Sequence, residues 1–367
     1  MNLRVLAINP GSTSTKIAVY EDARPILSHT AQHSAEDIAA CSRSLIDQLP
    51  MRKACILDFL SQQGCDLHSL NAVVGRGGKI PPCQAGATVV SPEMVEYLKS
   101  RPVLDDHASN LGAVLAWEIA GPRNIPAYIY DGVTVDQMDD IARLSGLPDF
   151  HRTSGCHALN IRAVTRKIAD KLGKNLEDLR AVVCHIGGGI TMAAFRDGRM
   201  VDILGDEEGP YSPERAGGIP NRQLTAYAFK GEVDEVGLAR RLRGKGGLVA
   251  YLGTNNAREV EERIAAGDAF AKLVYEGMAY QIAKGIGSLA TVLHGRLDCV
   301  ILTGAVAHSA MLVGLVKDRI GFLAPVEVFA GENEMEALAL GGHRVLTGEE
   351  RAHAFNPVKK VPLHYDK

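Results

Sequence analysis

The chain opens on an apolar run, Leu3 to Ile8 (LRVLAI), that stops at Asn9-Pro10-Gly11. A short run bounded by turn formers reads as a buried strand feeding a polar loop. Lys16 to Tyr20 (KIAVY) reads as a second strand and Glu21-Asp22-Ala23-Arg24 as a turn. Pro25-Ile26-Leu27 then starts a third strand. Strand, loop, strand, turn, strand is an antiparallel meander rather than a βαβ unit, so the first loop does not open a helix.

The pattern returns. Ala181 to Ile186 (AVVCHI) is a strand, Gly187-Gly188-Gly189 a loop, Thr191 to Phe195 a strand and Asp197-Gly198 a turn. With an offset of 175, Tyr20 falls on Phe195, Asp22 on Asp197, Arg24 on Arg199 and Ile26 on Val201 without a gap. A repeat near half the chain length implies two similar domains with a cleft between them. The remaining pattern alternates. Strands are expected at Asn71 to Val74, Ala127 to Tyr130, Cys299 to Leu302 and Val326 to Phe329. Helices are expected at Asn160 to Leu172, where Ile161, Val164, Ile168 and Leu172 share a face, at Phe270 to Leu293, and from about Glu334 to Leu346. Several of these strands end in Gly, Asp, Arg or His, where α/β folds place ligands.

Composition sharpens the picture. Of 367 residues 46% are hydrophobic, which favours two cores over one. A net charge of -3 without a dense Lys/Arg run disfavours nucleic acid. Seven scattered cysteines, an odd number with no C-x-x-C, fit reduced thiols in a cytoplasmic protein. No signal-peptide pattern or membrane-length apolar stretch occurs, so no membrane partner is expected.

Four groups of residues carry candidate chemistry. Asn9 to Lys16 offers Gly11, the hydroxyls of Ser12, Thr13, Ser14 and Thr15, and the Lys16 cation. Such a loop suits a phosphate, although a Ser/Thr-rich turn has the same composition. Neither G-x-x-x-x-G-K-[ST] nor G-x-G-x-x-G is present. His185 with Gly187, Gly188 and Gly189 forms the second loop, where missing side chains let a phosphate approach the backbone. The third group is basic: Arg76 between glycines that leave room for substrate, His151-Arg152, and Arg215. Taken singly, such arginines are most often solvated charges, and His107, His151 and His185 structural histidines. No pair has zinc-site spacing. The fourth group is acidic, with Asp131 at a strand end and Glu332, Glu334 and Glu336 after another; these suit magnesium or a helix N-terminus equally. Asp206, Glu207 and Glu208 read as a solvated loop.

Leu6 to Lys16 (LAINPGSTSTK) resembles the opening of the acetate and butyrate kinases, of the superfamily that includes actin, Hsp70 and the sugar kinases. Further matches follow in family order, at Gly75 to Gly78, Asp131-Gly132, Phe150 to Gly155, His185 to Gly189, Gly209 to Arg215 and Thr303-Gly304-Ala305. The resemblance implies an α/β fold of two duplicated ribonuclease H-like (actin-like ATPase) domains, with mixed sheets flanked by helices and a central cleft. We place one domain at 1–150 plus about 340–367 and the other, which binds the nucleotide, at 151–339.

It also implies ATP/ADP and Mg²⁺, with Asn9 and Glu334 at the metal. Arg76, His151 and Arg215 would stabilise the moving phosphoryl group, and Asp131 would serve the magnesium or transition-state region. The His185 to Gly189 loop would hold nucleotide phosphates, with Gly304 and Ala305 near the adenosine. A homo-oligomer, a dimer or larger, is the family expectation. Two departures favour the butyrate branch. His185-Ile186-Gly187-Gly188-Gly189 stands where acetate kinases read H-x-G-N-G, and Ser212 to Gly218 (SPERAGG) stands where they read G-T-R-S-G-D. The expected reaction is reversible phosphorylation of butyrate or a close relative. The alternatives are an acetate or propionate kinase, or a non-catalytic nucleotide sensor.

Overall fold

A computed structural model describes residues 2–41, 44–100 and 108–357; His107 lies outside these, as do 358–367 of the expected N-terminal domain. The chain folds as two compact units, Met1–Asp136 with Asn333–Lys367, and Gln137–Glu332.

The first unit contains Arg4–Pro10 (β1), Ser14–Glu21 (β2), Arg24–Gln32 (β3), Ala72–Arg76 (β4), Ala87–Val89 (β5) and Ala127–Tyr130 (β6). They form one mixed sheet in the order β3-β2-β1-β4-β6-β5. β1 is antiparallel to β2 and parallel to β4, and β4 is parallel to β6. Apart from Arg4, β1 is buried throughout, as an apolar strand covered on both faces should be. β3 is mostly exposed, and its Pro25 is tolerated on that edge because no neighbour needs its N–H. The helices Asn110–Ala120 and Glu334–Leu346 pack on β4 and β1.

The second unit repeats the plan with Ala181–Ile186 (β7), Ile190–Arg196 (β8), Arg199–Leu204 (β9), Cys299–Gly304 (β10) and Val326–Ala330 (β11). Their order, β9-β8-β7-β10-β11, matches β3-β2-β1-β4-β6 strand for strand, including which pairs are parallel. The repeat extends to a defect. A bulge shifts the register between Val19 and Tyr20 in one hairpin and between Ala194 and Phe195 in the other, at the same offset of 175. Asp22 and Asp197 both occupy the left-handed region in the following turns, at φ 51° and 52°.

The gapless match holds only from β2 onward. Pro10 pairs with Thr15 across four loop residues, whereas Ile186 pairs with Ile190 across three. Asn9 faces Lys16 and His185 faces Thr191, so the true counterpart of Asn9 is His185, one position beyond the simple offset.

The expected helices form as Ala158–Lys171, Ala269–Val292 and Glu334–Leu346. Asp268 starts the second by accepting from the Ala271 N–H at 2.9 Å, one of the otherwise unpaired amides of the first turn. All seven cysteines are free thiols. Cys184 in β7 and Cys299 in β10 are buried, and burial pushes both thiols up, Cys299 to about 12. At pH 8 both should resist alkylation in the native protein and react only after denaturation. Mass spectrometry of timed labelling checks this, and early modification of Cys184 would contradict it.

Candidate active site

Three adjacent parallel strands of the first unit end in candidate site residues. Asn9 is on β1, Arg76 closes β4 and Asp131 follows β6. Glu334, the first residue of the helix Glu334–Leu346, joins them and is buried. The Arg76 guanidinium forks onto the carboxylate, with Nη2 at 3.1 Å from Oε1 and Nη1 at 3.3 Å from Oε2. The same Nη1 donates to Asn9 Oδ1 at 3.3 Å, and the Asn9 amide donates to Glu334. A cation, a carboxylate and an amide are therefore held in one network. Glu332 is exposed and Glu336 half-buried; Glu334 is the one that Arg76 and Asn9 hold.

Asp131 is 4% exposed and left-handed at φ 41°. Two bonds to one residue fix it there: its carboxylate accepts from the Gly86 N–H at 2.7 Å, and its own N–H donates to the Gly86 carbonyl at 3.0 Å. Next to it, burial and the Asp131 charge push the Tyr130 phenol up, and its hydroxyl donates to Glu350 at 2.7 Å. Ser12 and Thr13 are exposed at the tip of the β1–β2 loop, and Lys16 is half-buried opposite Asn9.

The glycines flanking Arg76 do not leave room for a substrate. A Cβ on Gly75 would lie 2.1 Å from the Gly112 carbonyl oxygen, one on Gly77 2.6 Å from the Gly132 Cα, and one on Gly78 2.2 Å from Asn110 Oδ1. Their absent side chains let β4 and its extension lie backbone to backbone against the neighbouring elements.

In the second unit His185 is 2% exposed at the end of β7. Asn160 Nδ2 lies 2.8 Å from its Nδ1 and 3.1 Å from Thr303 Oγ1, so that ring nitrogen accepts. The His157 ring stacks on it at 4.0 Å, held in turn by Thr191 at 2.8 Å. The triple glycine is engaged by the segment that follows. A Cβ on Gly189 would meet the Arg215 guanidinium at 2.4 Å, and one on Gly188 the Glu214 carboxylate at 3.2 Å. Ser212 Oγ donates to the Gly188 carbonyl at 2.7 Å, and the Glu214 N–H donates to it at 3.1 Å. The room at Gly188 and Gly189 is thus filled by Glu214 and Arg215, not left open for a phosphate alone.

The acidic loop is not simply solvated. Asp206 pairs with Arg215 at 3.1 Å and Arg243 at 2.9 Å, and Glu208 pairs with Arg152 at 2.8 Å. Arg152 also holds Asp202 and the carbonyls of Ala142 and Ile203, which makes it a rivet; His151 beside it is exposed. Gly304, at φ 94°, exchanges backbone bonds with Gly331. Ala305 is exposed and lines a cavity of about 380 Å³ with Asn255, Asn256, Arg258, Glu261 and His308.

Sequence reading missed the residues that support these loops. Asn160 and His157 are brought to His185 only by tertiary packing, and Thr303, noted only within Thr303-Gly304-Ala305, joins them there. Buried Arg52, beneath the Ser12 to Thr15 turn, had a local signal. It occupies a core-facing position in the series Leu49, Arg52, Ile56, Leu60.

Two copies of one mixed sheet, each ending in polar and charged side chains and a loop of small residues, define an actin-like ATPase type of α/β protein. An acetokinase family model matches residues 149–352, more than half the chain, and the protein belongs to that family. It is thereby an ATP-using kinase of carboxylates. Solved structures agree in fold. A propionate kinase from Francisella tularensis subsp. tularensis SCHU S4 is 18% identical, with 92% of this chain and 98% of that one covered and a TM-score of 0.76. Acetate kinase from Porphyromonas gingivalis is 19% identical, with 95% and 100% covered, also at 0.76. Acetate kinase from Entamoeba histolytica is 16% identical, with 93% and 98% covered, at 0.74.

Proposed function

We propose that the protein phosphorylates butyrate, or a closely related short or branched acid, from ATP to give the acyl phosphate and ADP, reversibly and in the cytoplasm. The butyrate reading rests on the two sequence departures from the acetate kinase pattern. The two departures from the acetate kinase pattern, at Gly188 and at Ser212 to Gly218, pack on each other. A side chain at residue 188 would start 3.2 Å from the Glu214 carboxylate, so an asparagine there and a glutamate at 214 compete for one space. The departures therefore count as one linked change in the loop that carries Arg215.

A carboxylate is ionised at pH 7, so its attack on the γ-phosphorus needs no general base. Catalysis then rests on position and charge. Arg76 and Arg215 are the arginines we assign to the equatorial oxygens, with His151 as a further donor and Asp131 holding its strand end in place. Asn9, Ser12, Thr13 and Lys16 would receive phosphate, with His185, Gly187, Gly188 and Gly189 on the nucleotide and Gly304 and Ala305 near the adenosine. Magnesium, when bound, would neutralise the β- and γ-phosphates. Asn9 and Glu334 fit it as hard oxygen donors. Both Glu334 oxygens already have protein partners, so they suit an ion that keeps its own waters. Among the described residues no helix is long and apolar enough to cross a membrane. Exposed Phe270, Leu273 and Tyr280 on one helix fit a homo-oligomer, a dimer or larger.

Acyl hydroxamate formation with ATP, magnesium and hydroxylamine tests the reading across acetate, propionate, butyrate, isobutyrate and valerate. The expected peak is butyrate or isobutyrate. A peak at acetate or propionate, the acids named for the kinases of like fold, would keep the reaction and remove the branch. ATP binding with no hydroxamate from any acid would favour a nucleotide sensor.

A further inference from the structure

The feature of the first unit least explained by folding alone is Arg52. It is fully buried, on a helix face otherwise apolar, and burial pulls its guanidinium below the ordinary arginine value. Its donors are all spent on neutral acceptors. Nε and Nη2 reach Gln48 Oε1 at 3.1 and 2.9 Å, Nη2 reaches the Ser12 carbonyl at 3.1 Å, and Nη1 reaches the Ser14 carbonyl at 2.8 Å and Thr15 Oγ1 at 2.9 Å. Among the described residues none of its partners is a carboxylate. A buried charge without a counter-ion is costly, and proteins ordinarily pair it.

The acceptors it chooses are informative. Ser12 lies in the exposed turn between β1 and β2, and Ser14, half-buried, opens β2. The Thr13 carbonyl is also consumed, by the His33 N–H at 2.9 Å. A trans peptide points its N–H opposite to its C=O. Arg52 draws the Ser12 carbonyl inward, so the Thr13 N–H is presented outward beside the Ser12 and Thr13 hydroxyls. One side chain thereby orients the Thr13 N–H and sets beneath the turn a positive charge that no described carboxylate pairs. An outward N–H with exposed hydroxyls over a buried cation suits an anion.

We propose that Arg52 is the positioning residue of the Ser12 to Thr15 turn, and that a phosphate group of the bound ligand supplies the counter-charge that no described residue gives it. The inference rests on the reading of this loop as a phosphate loop.

The decisive variant is Gln48→Glu. It preserves both hydrogen bonds that the residue-48 oxygen accepts and adds the absent negative charge. The fold should be as stable as wild type or more so, with an equal or higher Tm. Calorimetric binding of inorganic tripolyphosphate and of MgATP should weaken about tenfold, the equivalent of about 1.4 kcal/mol. The KM for MgATP should rise in step, with the KM for the carboxylic acid unchanged. A structural role alone moves Tm and leaves these constants in place. Arg52→Met should weaken binding at least as much. Arg52→Lys, which keeps the charge and loses the planar fork, should fall between and carries the test if the others do not fold.

Unchanged tripolyphosphate and MgATP binding in folded Gln48→Glu, or in folded Arg52→Lys if it stands alone, overturns the proposal. So does a wild-type chain that binds neither. Wild-type protein that binds both but forms no acyl hydroxamate would end the kinase reading and leave this one standing.

Discussion

Replacing Arg76 by alanine should lower kcat by about 10²- to 10³-fold, the range for removing one fixed donor from a developing oxyanion. The KM for ATP should move far less, because the lost interaction strengthens as charge builds on the moving group. Stability should fall as well. Arg76 forks onto Glu334, whose side chain is 5% exposed, and removing one partner of such a pair leaves a buried carboxylate at a cost of about 3 kcal/mol. The two effects separate in a second variant. Adding Glu334→Gln to Arg76→Ala should return most of the stability, seen in urea unfolding, and none of the activity. Arg76→Lys should keep part of the stability and little of the rate, since an ammonium has no planar fork. Full turnover in folded Arg76→Ala would remove Arg76 from the mechanism.

Gly75→Ala should be worse for the fold than any loss of charge. The new Cβ would stand 2.1 Å from the Gly112 carbonyl oxygen, and the contact is reciprocal, since a Cβ on Gly112 would stand 2.3 Å from the Arg76 carbonyl oxygen. Both obstacles are backbone, so neither can rotate away. The helix Asn110–Ala120 must lift off β4, opening a core that contains Val73, Leu111, Val114 and Leu115. A loss above about 4 kcal/mol is expected, among the large values for core overpacking. Gly287→Ala is the control. It lies within the helix Ala269–Val292 with nothing near its Cβ position, so it should stabilise by about 0.5–1 kcal/mol. Urea midpoints for the two variants give the comparison. A Gly75→Ala cost below about 1 kcal/mol would show that the backbones are not in contact.

Most strands, both hairpin loops and the duplication were legible because each is a local pattern, an apolar run ended by turn residues; the three-residue β5, Ala87–Val89, was not expected. Which glutamate faces Arg76 was not legible. Glu332, Glu334 and Glu336 differ only in how the chain enters the last helix, and only Glu334 arrives beneath β1 and β4. The glycines around Arg76 misled for a related reason. Composition records that a side chain is missing, and the space it leaves had been taken by Gly112, Gly132 and Asn110. Asp206 and Glu208 read as solvated because the pairing with Arg215, Arg243 and Arg152 is made only by the fold. The helices Asn221–Ala228 and Glu235–Leu242, each eight residues long and without a buried residue, were not expected.

The paired bulges have a bearing on descent. A register slip at the same place in both hairpins, followed by an aspartate in the same left-handed pose, is a shared irregularity, and shared irregularities are inherited. The bulge therefore predates the duplication and belonged to a single ancestral half. The loop between the first two strands changed afterwards, since one copy has four residues and the other three. The position at its threshold became asparagine in one lineage and histidine in the other. The hairpin body kept the ancestral form while its tip diverged, so the two halves came to offer different chemistry from one scaffold.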